Sequence, residues 1–387
     1  MGRVSWSVPV QEPMLNARWG AMDSLPTALQ VSRTGEILHP FAMRCTQGVY
    51  ALNVSRGCAH RCAYCYARAY RDALPETEVQ VYTNLPALLR EELDNPRRRK
   101  PLPRVVSLCT STDPFQPLPD LLRVTYEACQ ILLERRIPIA FLTKGYIPEE
   151  FIALFAAHAP LVRARIGLIS LDPRTHRLYE RGAAHPEARL LSLRRLQEAG
   201  IQVGIRHDPV IPGVTDLPWH LEALCARLRE HRITSLDVGH LYVRPGIERL
   251  LWRELPRAEA RRLLAFFVGR PPARVAASNV TRLLPPAIRL ESYERVRRIA
   301  ARHGIRTYLC ACMNPDLKGD RCSGVGEMRE AAGLAEPGRQ AELFPETRWR
   351  RAPRRRRKPP ARSDGMTGQV ARGDAPAPIG GLAGSPG

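Results

Sequence analysis

No run of about 18 apolar residues occurs anywhere in the 387-residue chain, so no membrane span is expected. The first residues, MGRVSWSVPVQEPMLN, also lack the continuous apolar stretch of a signal peptide. A cytoplasmic setting is the consistent expectation. There the ten cysteines read as reduced thiols kept for metal rather than as disulfides. Internal repeats are missing too, beyond a strand–helix alternation. Acidic residues are in short supply, with 38 Asp+Glu against 59 Lys+Arg and a net charge of +21. Such an imbalance favours polyanionic partners, nucleic acid first. From Arg339 onward there are 11 Lys+Arg against 4 Asp+Glu, which leaves 48 against 34 in residues 1–338. The body is therefore basic without its tail.

A fourth cysteine is what the most informative stretch lacks. Gly57-Cys58-Ala59-His60-Arg61-Cys62-Ala63-Tyr64-Cys65-Tyr66-Ala67-Arg68 carries three cysteines spaced C-x3-C-x2-C. Thiolates are soft ligands that select zinc, Cu(I) or iron–sulfur clusters. Structural zinc sites and ordinary [4Fe–4S] clusters close with four protein ligands. Three thiolates leave one metal corner open, as a cluster that binds a substrate requires. Tyr64 supplies an aromatic face beside that corner.

Along the chain, residues 1–44 form a lead-in without strong pattern. The first convincing strand is Val49–Val54, which runs into the cysteine loop. Ala63–Tyr70 and Leu85–Leu93 read as helical. Strands at Val105–Leu108, Ile137–Leu142, Ala164–Ile169, Ile201–Ile205 and Ile233–Val243 then alternate with helices at Pro119–Arg135, Pro148–Ala157, Pro186–Ala199, Leu217–Glu230 and Arg257–Val268. Short apolar strands alternating with helices mean a parallel sheet covered by helices. Six such strands predict an α/β fold, a partial (β/α)6 TIM-type barrel over residues 45–270. In such barrels chemistry gathers at the carboxyl ends of the strands. Residues 271–338, with a helix at Arg289–His303 and a strand at Ile305–Leu309, form a C-terminal extension. Residues 339–387, with WRRAPRRRRKPPARSDG and a Gly/Pro/Ala-rich end, cannot bury a core and read as disordered. The Arg354-Arg355-Arg356-Arg357-Lys358 run is a candidate phosphate contact.

Each strand turns polar at its end. The second ends in Cys109-Thr110-Ser111-Thr112-Asp113-Pro114-Phe115-Gln116-Pro117, the third in Thr143-Lys144-Gly145, the fourth in Ser170-Leu171-Asp172. The fifth ends in Arg206-His207-Asp208-Pro209-Val210-Ile211. The cysteine spacing resembles the signature loop of the radical S-adenosylmethionine (SAM) superfamily. CTSTDPFQP, FLTKG, LISLD, AHPEARLLSLRRLQEAGI and VGIRHDPVIPGVTD resemble its spore photoproduct lyase-like (DNA-repair-photolyase-like) branch over about residues 45–320. The resemblance implies the partial barrel, and a [4Fe–4S] cluster on Cys58, Cys62 and Cys65 with SAM on the open iron. It also implies reductive cleavage of SAM to a 5′-deoxyadenosyl radical that abstracts hydrogen. Relatives of this branch contact SAM through residues that map onto Ser111, Lys144 and Ser170. Tyr64, Thr112 and Asp113 are further candidates. Arg206 suits the SAM carboxylate, and Val210 and Ile211 could flank the adenine. Cys109 maps to a hydrogen donor, and Arg181 lies where relatives carry a charged residue.

A flavodoxin- or ferredoxin-type reductant is the implied partner, and DNA or another nucleic acid the implied substrate. Two other functions stay open from the residues. One is a peptide- or protein-modifying enzyme of the same superfamily, and the other a non-catalytic cluster-bearing nucleic-acid binder or redox sensor. Cys310, Cys312 and Cys322, with Cys45, form a candidate second metal site. Cys129 and Cys225 read as core.

Overall fold

Proline starts most of the helices. A computed structural model of the chain describes residues 25–40, 49–95, 102–275, 279–310 and 313–320. In seven of its helices a proline occupies one of the first two positions. The missing proline N–H is no loss there, because the first amides of a helix have no partner within it. The helices are α1 (Leu85–Asp94), α2 (Pro119–Glu134), α3 (Glu149–Ala156), α4 (Pro173–Tyr179), α5 (Pro186–Glu198), α6 (Pro218–Glu230), α7 (Pro245–Glu254), α8 (Arg257–Ala265) and α9 (Pro286–Arg302).

Four helices stop in the same way. A left-handed residue (Arg136, Gly200, Arg232 or Gly304) follows each of α2, α5, α6 and α9. The next residue is an isoleucine whose N–H reaches back to a carbonyl five residues earlier: Ile137 to Leu132, Ile201 to Leu196, Ile233 to Leu228, Ile305 to Ala300. This closes the helix end and drives an apolar residue into the core at the start of the next strand.

The strands are β1 (Thr27–Val31), β2 (His39–Pro40), β3 (Val49–Leu52), β4 (Ser55–Arg56), β5 (Glu78–Tyr82), β6 (Val105–Leu108), β7 (Ile139–Thr143), β8 (Val162–Gly167), β9 (Gln202–Val210), β10 (Ser235–His240), β11 (Pro272–Val275), β12 (Asn279–Arg282) and β13 (Arg306–Leu309). The main sheet runs β2-β3-β6-β7-β8-β9-β10-β13. All its pairs are parallel except β2 with β3. This is the parallel sheet of an α/β partial barrel, as the alternation of strands and helices predicts. The six expected strands lie in chain order, and β13, from the expected extension, adds a seventh parallel strand beyond β10. Between sheet and helices lies one large apolar cluster, in which Phe115 packs edge-on against Phe141 and Phe151 at 5.1 and 5.0 Å.

Several elements differ from the sequence reading. Ala63–Tyr70 is a chain of turns, not a helix. Ala63 gives its N–H to the Tyr179 carbonyl, and the local bonds are three-residue ones such as Cys65 to Cys62 and Ala69 to Tyr66. The lead-in contains β1, which pairs with β5 about fifty residues later; local pattern carries no trace of such a partner. Helices α4 and α7 are additional. Residues 339–387 lie outside the described residues. No described helix is long and apolar enough to cross a membrane.

The helix-facing side of the sheet buries two histidines. His207 on β9 is fully buried with Nδ1 3.2 Å from the Leu168 carbonyl oxygen, and His240 on β10 has Nε2 2.9 Å from Ser292 Oγ. Burial lowers their pKa values to about 4 and about 3, below the unfolded value of about 6.5. Both are therefore neutral in the fold. The stability this gives is present above pH ~6.5 and is lost as pH falls toward 4. Urea titrations at pH 7 and pH 5 should show a loss of order 2 kcal/mol per histidine. His207→Gln should flatten that pH dependence.

Candidate active site at the strand ends

The cysteine loop leaves β3 at the carboxyl end of the sheet and is held from outside. Gln116 is completely buried; its Oε1 accepts from Ala59 N at 2.7 Å and its Nε2 donates to the Asp113 carbonyl at 2.9 Å. Gly182 lies so close that a Cβ there would be 2.3 Å from the Ala59 carbonyl oxygen, so only glycine fits. Arg68 donates from Nη1 to the carbonyls of Arg61 and Cys62, both at 2.8 Å. Its other end joins a network with Glu76 and Glu254, which also pair with Arg181 and Arg253. Arg181 thus ties the loop after α4 to α7.

Cys58, Cys62 and Cys65 are free thiols on this loop. Burial, then Asp113 and the other two cysteines, push Cys58 well above its ordinary value. Burial and Glu180 push Cys62 up to about 12. The three sulfurs therefore sense one another. Among the described residues, no three His, Cys, Asp or Glu side chains converge tightly enough for one metal ion. A cluster takes one thiolate per iron, which spreads its cysteines further apart. A cavity of about 360 Å³ opens on the loop, lined by Cys58, Cys65, Asn53, Ser111 and Thr112 among others.

A buried carboxylate organises the neighbouring wall. Glu180 is 2% exposed and pairs with the fully buried Arg189 at 2.7 Å. It accepts a hydrogen bond from the Tyr64 hydroxyl, and Lys144 Nζ lies 4.0 Å away. Burial alone would raise this carboxyl, yet Arg189 and Lys144 outweigh it and hold Glu180 at about 2. The Lys144 ammonium also lies 5.8 Å from the centre of the Tyr64 ring. Glu180 was missed from sequence, although it adjoins Arg181 in a motif already singled out. What marks it is burial, which sequence does not carry.

The remaining candidates divide. Ser111 donates from N and Oγ to Asn53 Oδ1, both at 3.1 Å. It lines the cavity with Thr112. Ile211 is buried with Ala63, Ile169 and Tyr179 against the cysteine loop. Val210 instead belongs to the helix-side core, because a register shift between β9 and β10 sets it opposite His240 rather than in step with Arg206 and Asp208. Ser170 is buried and accepts from Asp172 N at 2.8 Å. Asp113 does not face the cavity as an open ligand: Thr143 Oγ1 and Phe115 N bond one oxygen at 2.7 and 2.9 Å, and Lys144 N bonds the other at 2.8 Å. Burial opposes its ionisation, but His60 and these bonds keep its pKa lowered. Arg206 is paired with Asp208, through Nε and Nη2 at 2.9 and 2.6 Å to one oxygen. Its guanidinium therefore answers a protein carboxylate already.

Cys109 is buried in the apolar core with a left-handed backbone (φ 53°). Burial pushes its thiol up to about 12. Cys129 and Cys225 are fully buried, as expected. Cys310 is half-buried, while Cys45, Cys312 and Cys322 lie outside the described residues.

Glu180→Gln should leave Arg189 buried without its counter-ion, at a cost of about 3–5 kcal/mol in urea denaturation. Adding Arg189→Met should recover much of the loss, since an apolar replacement removes the orphaned charge.

Residues 52–225 match the family model described as the Radical SAM superfamily. An uncharacterised protein of Mycobacterium bovis is 34% identical over 205 residues, covering 50% of this chain and 59% of the relative. A radical SAM Nα-GlyT isomerase of a Pseudomonas phage is 25% identical over 201 residues, covering 50% of this chain and 40% of that protein. The chain thus spans less than two thirds of the length of these relatives. Among solved structures, a spore photoproduct lyase variant shares the fold at a TM-score of 0.58 and 16% identity, covering 73% of this chain and 82% of that one. A spore photoproduct lyase complexed with dinucleoside spore photoproduct matches at 0.57 and 16%, with the same coverage. Residues 52–225 therefore carry the likeness to the radical SAM superfamily.

Proposed function

We propose that this chain is a radical SAM enzyme that acts on nucleic acid. One observation carries the reading: three free thiols share a loop at the carboxyl ends of the strands, beside the Glu180–Lys144–Tyr64 wall. A radical SAM domain carries a [4Fe–4S] cluster and SAM, and the residues present fit both. Bound there, the pair supplies a 5′-deoxyadenosyl radical able to take hydrogen from an unactivated C–H bond.

Cys58, Cys62 and Cys65 would hold the cluster, one thiolate to an iron. Glu180 is ionised at neutral pH and offers an acceptor for an ammonium group. Lys144 offers a donor for a carboxylate. Ser111, fixed by Asn53, and Thr112 add hydroxyls on the loop side, and Ser170 adds one at the end of β8. Ile211 and its apolar neighbours give adenine a dry face. Cys109 stays protonated, so it keeps the S–H bond a hydrogen donor needs.

Nucleic acid is favoured as substrate by the basic body. One name agrees with it: the solved lyase is complexed with dinucleoside spore photoproduct. A flavodoxin- or ferredoxin-type protein supplies the electron. The setting is cytoplasmic.

Anaerobic reconstitution with iron and sulfide, followed by SAM and dithionite, tests the reading. The expected products are methionine and 5′-deoxyadenosine, and their absence overturns it. Replacing Cys58, Cys62 and Cys65 together by alanine should abolish both product and cluster colour. Iron left on that protein would mark a second site at Cys310, Cys312, Cys322 and Cys45; none left would dismiss it. Lys144→Ala should weaken SAM binding by about tenfold, the scale of one charge-assisted contact.

A further inference from the structure

The barrel mouth has a second polar wall, away from Glu180. Arg206 and Asp208 are two residues apart on β9 and so share one face of the strand. It is the face opposite the buried His207. Their side chains are 39% and 20% exposed, so the pair opens toward solvent inside the barrel. Asp237 stands opposite Arg206 in the β9–β10 register and pairs with Arg165 at 3.2 Å. Gly239 makes room: a Cβ there would be 2.8 Å from Asp208 Oδ2. TIM-type interiors are normally filled by layers of branched apolar side chains. Here the inward positions carry charge.

Beside this pair stands a stack of planes. The Arg244 guanidinium lies 5.6 Å from the ring centres of both Tyr66 and Tyr242. Tyr66 meets Tyr70 edge-on at 5.9 Å, and Tyr70 is 45% exposed. Leu241 N donates to the Val210 carbonyl at 3.0 Å, so Tyr242 leaves β10 beside the end of β9, two residues beyond the strand pairing that carries Asp208; burial, then Asp208, raises its hydroxyl, with Arg244 and Arg206 pulling the other way. Tyr66 follows Cys65 directly, which puts the wall next to the cysteine loop.

We propose that Tyr242, Arg244, Arg206 and Asp208 form a nucleobase-binding wall. An unstacked base lies against the Tyr242–Arg244 planes and meets the Arg206–Asp208 pair with its polar edge. The inference deepens the proposed function and rests on it. Two features favour a base over a peptide, and a third disfavours a simple ion. Aromatic rings and guanidinium planes are the surfaces on which splayed bases stack. A fixed guanidinium–carboxylate pair offers donor and acceptor side by side, matching the edge of a base. The pair is also neutral overall, so it selects against a bare phosphate or a simple cation. A duplex cannot reach this depth without extruding the base.

Binding to the reconstituted protein with SAM tests the idea, using three probes: a mixed-sequence DNA octamer, an abasic octamer of equal length and an eight-residue peptide. The intact octamer should bind at least about tenfold more tightly than the abasic one, as stacking and edge contacts of one base provide. Arg244→Gln and Asp208→Asn should each erase that preference while abasic binding holds. Arg244→Lys, which keeps the charge and loses the plane, should not restore it; Tyr242→Phe should retain it. Unchanged thermal midpoints exclude misfolding of the variants. Equal binding of the two octamers, equal loss of both in the variants, or binding of the peptide instead overturns the proposal. 5′-Deoxyadenosine from the same wild-type preparation reports separately on the radical SAM reading. If it forms while base preference is absent, only the wall is wrong.

Discussion

A carboxylate buried against a buried guanidinium sets the position of everything around the cysteine loop. Two charges removed from water tolerate each other only with good geometry and further hydrogen bonds. Arg189 meets that demand by also donating to the carbonyls of Ala184 and Gly167, at 2.7 and 2.8 Å. Glu180 meets it by taking the Tyr64 hydroxyl and facing Lys144. One ion pair thereby connects α5, the end of β8, the end of β7 and the cysteine loop. Because each contact satisfies a group that would otherwise be buried unpaired, none can shift without exposing another to that penalty. This rigidity explains how a loop made only of turns can hold three sulfurs in place without helical backbone bonds of its own.

Asp113 shows the contrast. It is buried to a similar degree and also ionised, yet its oxygens accept from Thr143, Phe115 and the Lys144 amide. It ties the end of β6 to the end of β7 and has little left to offer a ligand. Glu180 faces a mobile-ended lysine and a tyrosine instead, partners that a ligand can share. Two buried acids at one barrel rim therefore divide the work: one fixes the strand ends and the other presents charge. Gln116 belongs with Asp113, since its side-chain amide joins the loop after β6 to the first turn of the cysteine loop.

What was legible in the sequence follows from the range of each interaction. Helix starts and stops are local chemistry, and prolines at the first turn or glycine after the last residue announce them. The strand order could be read because short apolar strands alternating with helices leave few topologies. The cysteine loop was legible because three thiols so close together have few uses. The pairing of β1 with β5 was not, since it joins segments about fifty residues apart. Neither was the partner of Arg206, because the sequence reading ends the strand at Ile205, whereas β9 continues through Asp208 to Val210. Nothing local in the sequence marks Glu180 or Arg189. Only the packing of α4 and α5 against the sheet buries both.

Polarity inside the barrel carries the last step. Arg165, Arg206, Asp208 and Asp237 occupy inward positions of three adjacent strands, where apolar layers would close the interior. Paired as they are, their net charge is zero, so the interior is kept open without a strong field. An anion would gain little there and an apolar group would desolvate four charged side chains. A planar group with donors and acceptors on its edge loses neither its hydrogen bonds nor theirs. This neutral interior contrasts with the chain as a whole, where 59 Lys+Arg outnumber 38 Asp+Glu.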